Sequence, residues 1–299
     1  MFLGIEIGGT KLQVGIGRGD GKLVALERST VAIDRGAEGI RQQILALSKK
    51  LLTEHRVTAA GIGFGGPIDL ERGRTIKSHQ IAGWDGFPIV EWARRELGLV
   101  AALGNDADVA ALAEAHYGAG RGANPVFYIT VGTGVGGGLV IDGRIYRGNG
   151  AGAAEIGHLR PGLDAVDAEQ TVESIASGTG IAAAANVRLP RRSGGARWTA
   201  QLVAAAASDG DRAAGEVLDR ATTALGWAVA QMLTLLSPEV VVIGGGVSLI
   251  GERWFFDPVT AATARYVFPP LKNKYRIAAA ELGEEVVVHG ALALAAELR

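Results

Sequence analysis

Two stretches of the chain repeat the same order of apolar and polar positions. Residues 2–26 read FLGIEIGGTKLQVGIGRGDGKLVAL, and residues 126–148 read VFYITVGTGVGGGLVIDGRIYRG. Each is typical of a strand, a glycine–threonine turn, a second strand, an Asp-Gly turn and a third strand. Asp20-Gly21 and Asp142-Gly143 occupy equivalent positions, where a primed hairpin turn favours these residues. The pattern therefore predicts an internal repeat in which each half begins with a β-meander.

The remaining pattern alternates apolar strands with amphipathic helices. It predicts helices over 36–54, 88–97, 106–117 and 212–236, and strands over 58–64, 99–103 and 238–243. This alternation is typical of an α/β protein. The glycine-rich segment YGAGRGANP at 117–125 is the best candidate hinge. We expect a small N-terminal domain of residues 1–117 plus 283–299, and a larger domain of residues 118–282.

Composition narrows the class of protein. The chain has 299 residues, 30 basic against 31 acidic, so no electrostatic footprint for nucleic acid or a membrane surface is present. The absence of cysteine fits a reducing compartment and excludes thiolate zinc sites. The uncharged stretch 221–238 contains three threonines and a glutamine, which favours a buried helix over a membrane span. We expect no signal peptide, no membrane partner and a cytoplasmic location.

Three glycine turns follow apolar strands, and each is a candidate phosphate site. GIEIGGTK at 4–11 matches neither the P-loop nor the dinucleotide fingerprint, so alone it indicates only a bend between strands. Its counterpart GTGVGGG at 132–138 changes this interpretation, because two such turns could clamp a polyphosphate with their backbone amides. The third turn, Gly244-Gly245-Gly246, ends an apolar strand and suits a flat ligand. The alternative is that the first two turns serve only as bends between strands.

With these turns in order, the sequence resembles the ROK family of sugar kinases, within the superfamily of actin, hexokinase and heat-shock chaperone ATPases. The matching motifs cover essentially the whole chain: IEIGGTK, GFGGPID (63–69), GWDGFPI (83–89), NDADVAALAE (105–114), AAEIGH (153–158) and VVVIGGGVS. The resemblance implies a two-domain actin-like, ribonuclease H-like α/β fold with an interdomain cleft. It also implies an ATP-dependent sugar kinase that acts on a hexose as a homodimer.

The resemblance assigns the phosphate and adenosine loops residue by residue. The implied ATP ligands are Gly8, Gly9, Thr10, Lys11, Gly132, Thr133, Gly134, Gly136, Gly244, Gly245 and Gly246. Mg²⁺ is expected with ATP, held mainly by phosphates and water. Glu6 stands where most family members have Asp, so it is a candidate for a place near that ion.

One carboxylate at the start of a predicted helix is a candidate general base. Asn105 and Asp106 both suit a helix N-cap, and only one is needed there. Phosphoryl transfer to an alcohol requires a group that accepts the hydroxyl proton. The resemblance implies that Asp106 is this base and that Asn105 binds a sugar hydroxyl.

The resemblance places further sugar ligands at Gly65, Gln80, Glu155, His158 and Glu173. Carboxylates and imidazole suit this work because they accept from or donate to specific hydroxyls. Gln80 replaces the usual Asn, which leaves the identity of the sugar open. The family's cysteine-rich zinc cluster is missing from LRPGLDAVDAEQT (159–171), so we expect no zinc.

The favoured activity is a glucokinase-like transfer from ATP to a hexose hydroxyl, the 6-hydroxyl being the expected acceptor. A kinase for fructose or an N-acetylhexosamine shares these motifs and remains an alternative. A catalytically silent or regulatory sugar-binding relative is a second alternative. Family repressors carry a helix-turn-helix domain before the first loop, and only three residues precede Gly4 here, which favours the enzyme.

Overall fold

A computed structural model describes residues 1–78, 81–150, 152–162, 167–191 and 195–298. Its strands, in chain order, are β1 (Phe2–Ile7), β2 (Lys11–Gly17), β3 (Leu23–Thr30), β4 (Ala59–Phe64), β5 (Ile68–Asp69), β6 (Arg74–Thr75), β7 (Val100–Asn105), β8 (Val126–Val131), β9 (Val135–Ile141), β10 (Arg144–Ile145), β11 (Val240–Gly244) and β12 (Arg276–Ala279). Its helices are α1 (Gly36–Glu54), α2 (Ile89–Leu97), α3 (Asp106–Tyr117), α4 (Val172–Ala176), α5 (Gly178–Arg188), α6 (Ala200–Ser208), α7 (Arg212–Leu236), α8 (Asp257–Tyr266) and α9 (Val286–Ala296).

Two five-stranded sheets share one topology. The first has the order β3-β2-β1-β4-β7, and the second has the order β10-β9-β8-β11-β12. In each sheet, the three strands of the repeated β-meander lie side by side in reverse chain order. The next two strands of that sheet along the chain then follow beside the first strand of the meander. In the first sheet, β1 pairs antiparallel with β2 and parallel with β4, and β4 pairs parallel with β7. The internal repeat predicted from the sequence is therefore confirmed at the level of strand order.

Contacts divide the chain into two compact units. The first comprises residues 1–122, 138–153 and 280–299, and the second comprises 123–137 and 154–279. The boundary at 122/123 lies within the glycine-rich segment singled out in the sequence. Residues 138–153 differ from the expected division, because they group with the first unit. The reason is close packing on α3, where a side chain at Gly138 would come within 2.7 Å of the Ala111 Cβ.

The helices expected over 36–54, 106–117 and 212–236 are confirmed as α1, α3 and α7 with the same bounds.

The two Asp-Gly turns differ in conformation. Asp142 and Gly143 have φ of 52° and 72°, as a type I′ turn requires. At the first turn, Gly19 and Gly21 take the positive φ values instead of Asp20, so the expectation of a primed turn at Asp20-Gly21 is wrong. A register shift between Ile16 and Gly17 pairs Gly17 with Leu23, so that β3 carries one extra residue beside that loop.

Helix α9 lies directly against the first sheet because glycines remove the side chains that would prevent it. A Cβ at Gly61 of β4 would lie 1.8 Å from the Ala291 carbonyl oxygen. A Cβ at Gly290 would lie equally close, 1.8 Å, to the Val109 carbonyl oxygen of α3. The C-terminal helix is thereby fixed between β4 and α3, and its N-terminal end reaches the strand that follows the first glycine turn.

The long helix α7 contains the uncharged stretch that raised the question of a membrane span. Among the helices of the described residues, α7 included, none combines the length and the apolarity needed to cross a bilayer. Many of its apolar residues are buried, Val217, Leu225 and Val229 among them.

Candidate active site

In the first unit, three parallel strands end in register at one edge of the sheet. Ile7 of β1 pairs with Phe64 of β4, which pairs with Asn105 of β7. The residues that follow these ends are therefore neighbours, and the carboxyl ends of parallel strands are the usual ligand edge of α/β sheets. Three predicted site positions, Gly8, Gly65 and Asp106, come directly after these strand ends.

The first glycine turn is closed by one backbone hydrogen bond, from the Gly8 amide to the Lys11 carbonyl oxygen at 2.9 Å. Among the described residues, the amides of Gly9 and Thr10 donate to no backbone carbonyl. The Gly65 amide donates to the Ile7 carbonyl oxygen at 2.8 Å and holds the neighbouring turn beside this one. The turn thus has two amides with donor capacity for an anionic ligand.

Asn105 and Asp106 have different roles at the start of α3. Asn105 is the N-cap: its side-chain oxygen accepts from the Ala107 amide at 2.9 Å. Its side-chain nitrogen donates to the Gly66 carbonyl oxygen at 3.1 Å. Asp106 is the first helical residue, and a Cβ on Gly65 would lie 3.3 Å from its Oδ2 atom. The glycine at position 65 therefore leaves room for the Asp106 carboxylate at the strand ends.

Glu6 is a buried carboxylate, 6 % exposed, beside the first turn. Its Oε1 atom lies 3.3 Å from the Lys11 ammonium, and its Oε2 atom accepts from Gln13 Nε2 at 2.7 Å. Burial raises the pKa of Glu6, the nearby charge of Asp106 raises it further, and Lys11 and Gln13 oppose the shift. Each oxygen thus faces one protein donor and keeps further acceptor capacity, and the place of Glu6 near Mg²⁺ stays a prediction.

In the second unit, the second and third glycine turns adjoin. β8 and β11 are parallel neighbours with Thr130 opposite Gly244. The Val247 amide donates to the Val131 carbonyl oxygen at 2.9 Å. Gly245 has φ of 89°, and a Cβ there would lie 2.5 Å from the Val131 carbonyl oxygen. Only glycine fits this close approach of two backbones.

Beside these two turns lies a cavity of about 510 Å³, within the range of small-molecule sites. Members of both turns line it: Gly132, Thr133, Gly246 and Val247. The structure therefore brings three predicted nucleotide ligands, Gly132, Thr133 and Gly246, to one cavity. Of the others, Gly244 is the last residue of β11, and Gly136 lies inside β9 rather than in the turn.

The same cavity is lined by residues that the sequence reasoning missed, on the N-terminal turns of α5 and α6: Gly178, Thr179, Ala182, Thr199, Ala200 and Gln201. The Gly178 amide donates to the Gly132 carbonyl oxygen at 2.8 Å, and the Thr179 hydroxyl donates to the Thr133 carbonyl oxygen at 2.8 Å. One signal was available, since Ser177 and Thr199 are both residues that favour helix N-caps. A helix N-terminus near a glycine turn is a usual setting for phosphate.

Three predicted sugar ligands lie together in the second unit. Glu155 precedes a short 3₁₀ turn that ends at His158, and this turn packs on the start of β9 through Gly157. Glu173 accepts from the Val135 amide at 2.8 Å, at the exit of the second glycine turn. Desolvation raises the pKa of Glu155, Glu173 adds to the rise, and His158 opposes it. The charges of His158 and Glu173 therefore both act on the Glu155 carboxyl.

Two predictions concern residues outside the described ranges. Gln80, a predicted sugar ligand, lies wholly outside them. The segment 159–171, where the family's zinc cluster would be, lies partly outside them. Within the described ranges, no three side chains of the ligating types His, Asp and Glu converge as a metal ion would need.

The model of the ROK family matches residues 2–298, nearly the whole chain. The chain belongs to the ROK family. A glucokinase from Thermotoga maritima is 30 % identical over 315 aligned residues, which cover 99 % of this chain and 97 % of that protein. An N-acetylmannosamine kinase from Yersinia pestis is 31 % identical over 257 residues, 83 % of each chain.

The solved structures agree with this membership. A ROK family glucokinase from Streptomyces griseus, in complex with glucose and AMPPNP, superposes with a TM-score of 0.84 at 29 % identity over 99 % of both chains. The ROK protein described here accordingly has the two-domain, actin-like α/β fold expected from the sequence.

Proposed function

We propose that this ATP-dependent sugar kinase of the ROK family phosphorylates glucose at its 6-hydroxyl, with Asp106 as the general base. The observation that carries the proposal is the division of roles at the start of α3. Asn105 caps the helix, and Asp106 follows it at the ends of three parallel strands. The Asp106 Oδ1 atom shares the Ala107 amide with the Asn105 side chain, at 2.9 Å, while its Oδ2 atom lies beside Gly65 at the strand ends.

In the proposed reaction, the Asp106 carboxylate accepts the proton of the sugar hydroxyl as the hydroxyl oxygen attacks the γ-phosphorus of ATP. A new phosphorus–oxygen bond forms to the sugar, and the bond from the γ-phosphorus to the bridging oxygen of ADP breaks. The products are the sugar phosphate and ADP. Mg²⁺ supplies charge neutralisation on the phosphates when bound, and we expect phosphates and water to be its ligands.

Nucleotide binding is assigned to the glycine turns. Gly8, Gly9, Thr10 and Lys11 are proposed to contact the phosphates from the first turn. In the second unit, the cavity lined by Gly132, Thr133 and Gly246 is proposed to hold the remainder of the nucleotide. The structure of the Streptomyces griseus glucokinase, which contains AMPPNP, supports this assignment. That structure superposes on this chain with a TM-score of 0.84.

Sugar recognition is assigned to Asn105, Glu155, His158 and Glu173, together with Gly65 and Gln80. A site that hydrogen-bonds specific sugar hydroxyls is selective because a wrong sugar leaves its polar groups unpaired. N-acetylmannosamine is the second candidate acceptor, because a kinase for it is 31 % identical to this chain.

The experiment is a comparison of acceptors under identical conditions. ADP release from ATP is measured with glucose, fructose, mannose, N-acetylglucosamine and N-acetylmannosamine, and with 6-deoxyglucose as the matched control. We expect the highest kcat/KM with glucose and no turnover with 6-deoxyglucose. A tenfold higher kcat/KM with another sugar, or equal ADP release with 6-deoxyglucose, would contradict the proposal.

A further inference from the structure

Gln13 is a buried polar residue between two apolar residues of β2. Its neighbours in β2, Leu12 and Val14, belong to the core, and Gln13 itself is 0 % exposed. Burying an amide in such a place is unfavourable unless its donors and acceptor are all satisfied. Its partners therefore indicate why an amide stands at this position.

The amide nitrogen of Gln13 contacts two oxygens. It donates to Glu6 Oε2 at 2.7 Å and to the Glu284 carbonyl oxygen at 2.8 Å, just before α9. The amide oxygen accepts from Arg28 Nε at 2.9 Å, and Arg28 also forms an ion pair with Glu285. Since Arg28 is only a donor, it fixes the amide with its oxygen toward Arg28 and its nitrogen toward Glu6.

The same two groups that Gln13 holds are the acceptors of Lys11. The Lys11 ammonium donates to the Glu284 carbonyl oxygen at 2.6 Å and lies 3.3 Å from Glu6 Oε1. An ammonium has three donors, so two are directed by these acceptors and a third has capacity for a ligand. Lys11 ends the first glycine turn, and its side chain is 35 % exposed.

We propose that Gln13 is a positioning residue for nucleotide binding, which acts through Lys11. By holding the Glu6 carboxylate and the Glu284 carbonyl in fixed places, it fixes the ammonium at the glycine turn before ATP arrives. Preorganisation of this kind lowers the entropy that the lysine loses when it binds a phosphate. The inference rests on the proposed contact between the first turn and ATP.

A double-mutant cycle tests the inference by titration calorimetry with ATP and Mg²⁺, in the absence of sugar. The variants are Gln13→Met, which keeps the length of the side chain without its hydrogen bonds, Lys11→Met, and the double variant. We expect each single change to raise the Kd for ATP about tenfold, because charged hydrogen bonds of this kind are lost or misdirected. We expect the double variant to bind no more weakly than Lys11→Met, because Gln13 acts only through Lys11.

Val14→Ala is the control for general destabilisation of β2. Val14 is buried in the core of the same strand, so this variant should lower Tm while its Kd for ATP stays within twofold of the wild type. In steady-state kinetics, Gln13→Met should raise the KM for ATP with the KM for glucose unchanged.

The outcomes separate the inference from the function on which it rests. If Lys11→Met weakens ATP binding but Gln13→Met does not, or if the two effects add in the double variant, the positioning role is wrong and the assignment of the turn stands. If Lys11→Met leaves the Kd unchanged, both are wrong. Since binding is measured without sugar, a failure of glucose as acceptor affects only the proposed substrate.

Discussion

At the residue scale, Glu6, Asn105 and Asp106 are polar residues at or beside the ends of the parallel strands β1 and β7. Two cap-type residues in succession implied that one was not needed as a cap, and the structure makes Asn105 the cap. The network around Glu6 could not be predicted, because its members are far apart along the chain. Glu284 is 273 residues from Lys11, and no local pattern connects positions so distant.

The raised pKa of Glu6 predicts how the stability of the protein depends on pH. Its pKa is raised from 4.5 by burial, so the folded state binds the proton more tightly than the unfolded state. Its contribution to stability is therefore present at low pH and is lost as pH rises from 4.5 through the folded-state pKa. The Glu6→Gln variant has no such carboxyl and does not show this loss. As pH rises, the free energy of unfolding of the variant should therefore increase relative to that of the wild type.

Urea denaturation of both proteins between about pH 4 and pH 8 measures the difference. Lys11 and Asp106 face Glu6, and both are present in each protein, so the comparison isolates the substituted carboxylate. The prediction would be contradicted if the wild type became more stable relative to Glu6→Gln as pH rises. That result would mean that Lys11 and Gln13 lower the pKa of Glu6 by more than burial raises it.

At the element scale, the bounds of α1, α3 and α7 could be predicted because apolar spacing determines them locally, with the cap residues Asn105 and Asp211 at the starts of α3 and α7. The interactions that fix elements to one another were less accessible. Helix α3 ends near a fully buried carboxylate, Glu114, 0 % exposed. It accepts from the amides of Ala119, Glu281 and Leu282 at 2.8, 3.0 and 2.9 Å. This one side chain thus joins the end of α3 to the segment that leads into α9.

Replacing Glu114 should destabilise the protein strongly. In Glu114→Ala three amides lose their acceptor, and each such loss costs on the order of 1–3 kcal/mol when the group stays buried. In Glu114→Gln one oxygen remains, so a smaller loss is expected. Urea denaturation gives the free energies of unfolding, and amide hydrogen exchange at residues 119, 281 and 282 locates the change.

The exposed Ser208 offers a comparison, because its hydroxyl donates to the Ala204 carbonyl oxygen and accepts from the Trp254 indole nitrogen at 2.8 Å, with no buried charge involved. Ser208→Ala should change the free energy of unfolding by less than Glu114→Ala. Equal stabilities of Glu114→Ala and the wild type would contradict the assigned role of this carboxylate.

At the scale of the whole molecule, the repeated strand order was visible in the sequence, since both halves begin with the same pattern of strands and turns. The assignment of residues 138–153 to the first unit was not, because it depends on the packing of Gly138 against α3. The cavity beside the second turn was foreseen only in part. Its turns are local motifs, whereas the N-termini of α5 and α6 reach it through tertiary packing.

Ligand binding should stabilise the folded molecule by mass action. At a concentration of about 100 times its Kd, glucose or ATP should each add about 2.7 kcal/mol to the free energy of unfolding. For a chain of this size we expect a rise in Tm of a few degrees. Thermal unfolding with glucose, with AMPPNP and with neither measures the effect, and 6-deoxyglucose at equal concentration shows whether the 6-hydroxyl contributes. No rise with either ligand would contradict binding of both.

The predicted homodimer belongs to this scale as well. Light scattering during size-exclusion chromatography should give twice the chain mass of 30.9 kDa. A mass of one chain at micromolar concentration would contradict it.

Asp106 is proposed to remove the proton of the sugar hydroxyl. The most direct test is the turnover rate with ATP and glucose in Asp106→Asn, with Asp108→Asn as the same change within the same helical turn. We predict that Asp106→Asn turns over between roughly a hundredfold and ten-thousandfold more slowly than the wild type, because that is the usual contribution of general-base catalysis. Its Kd for ATP should be nearly unchanged, and Asp108→Asn should retain most of the activity. Full activity of Asp106→Asn would contradict the proposed role of Asp106 as the general base.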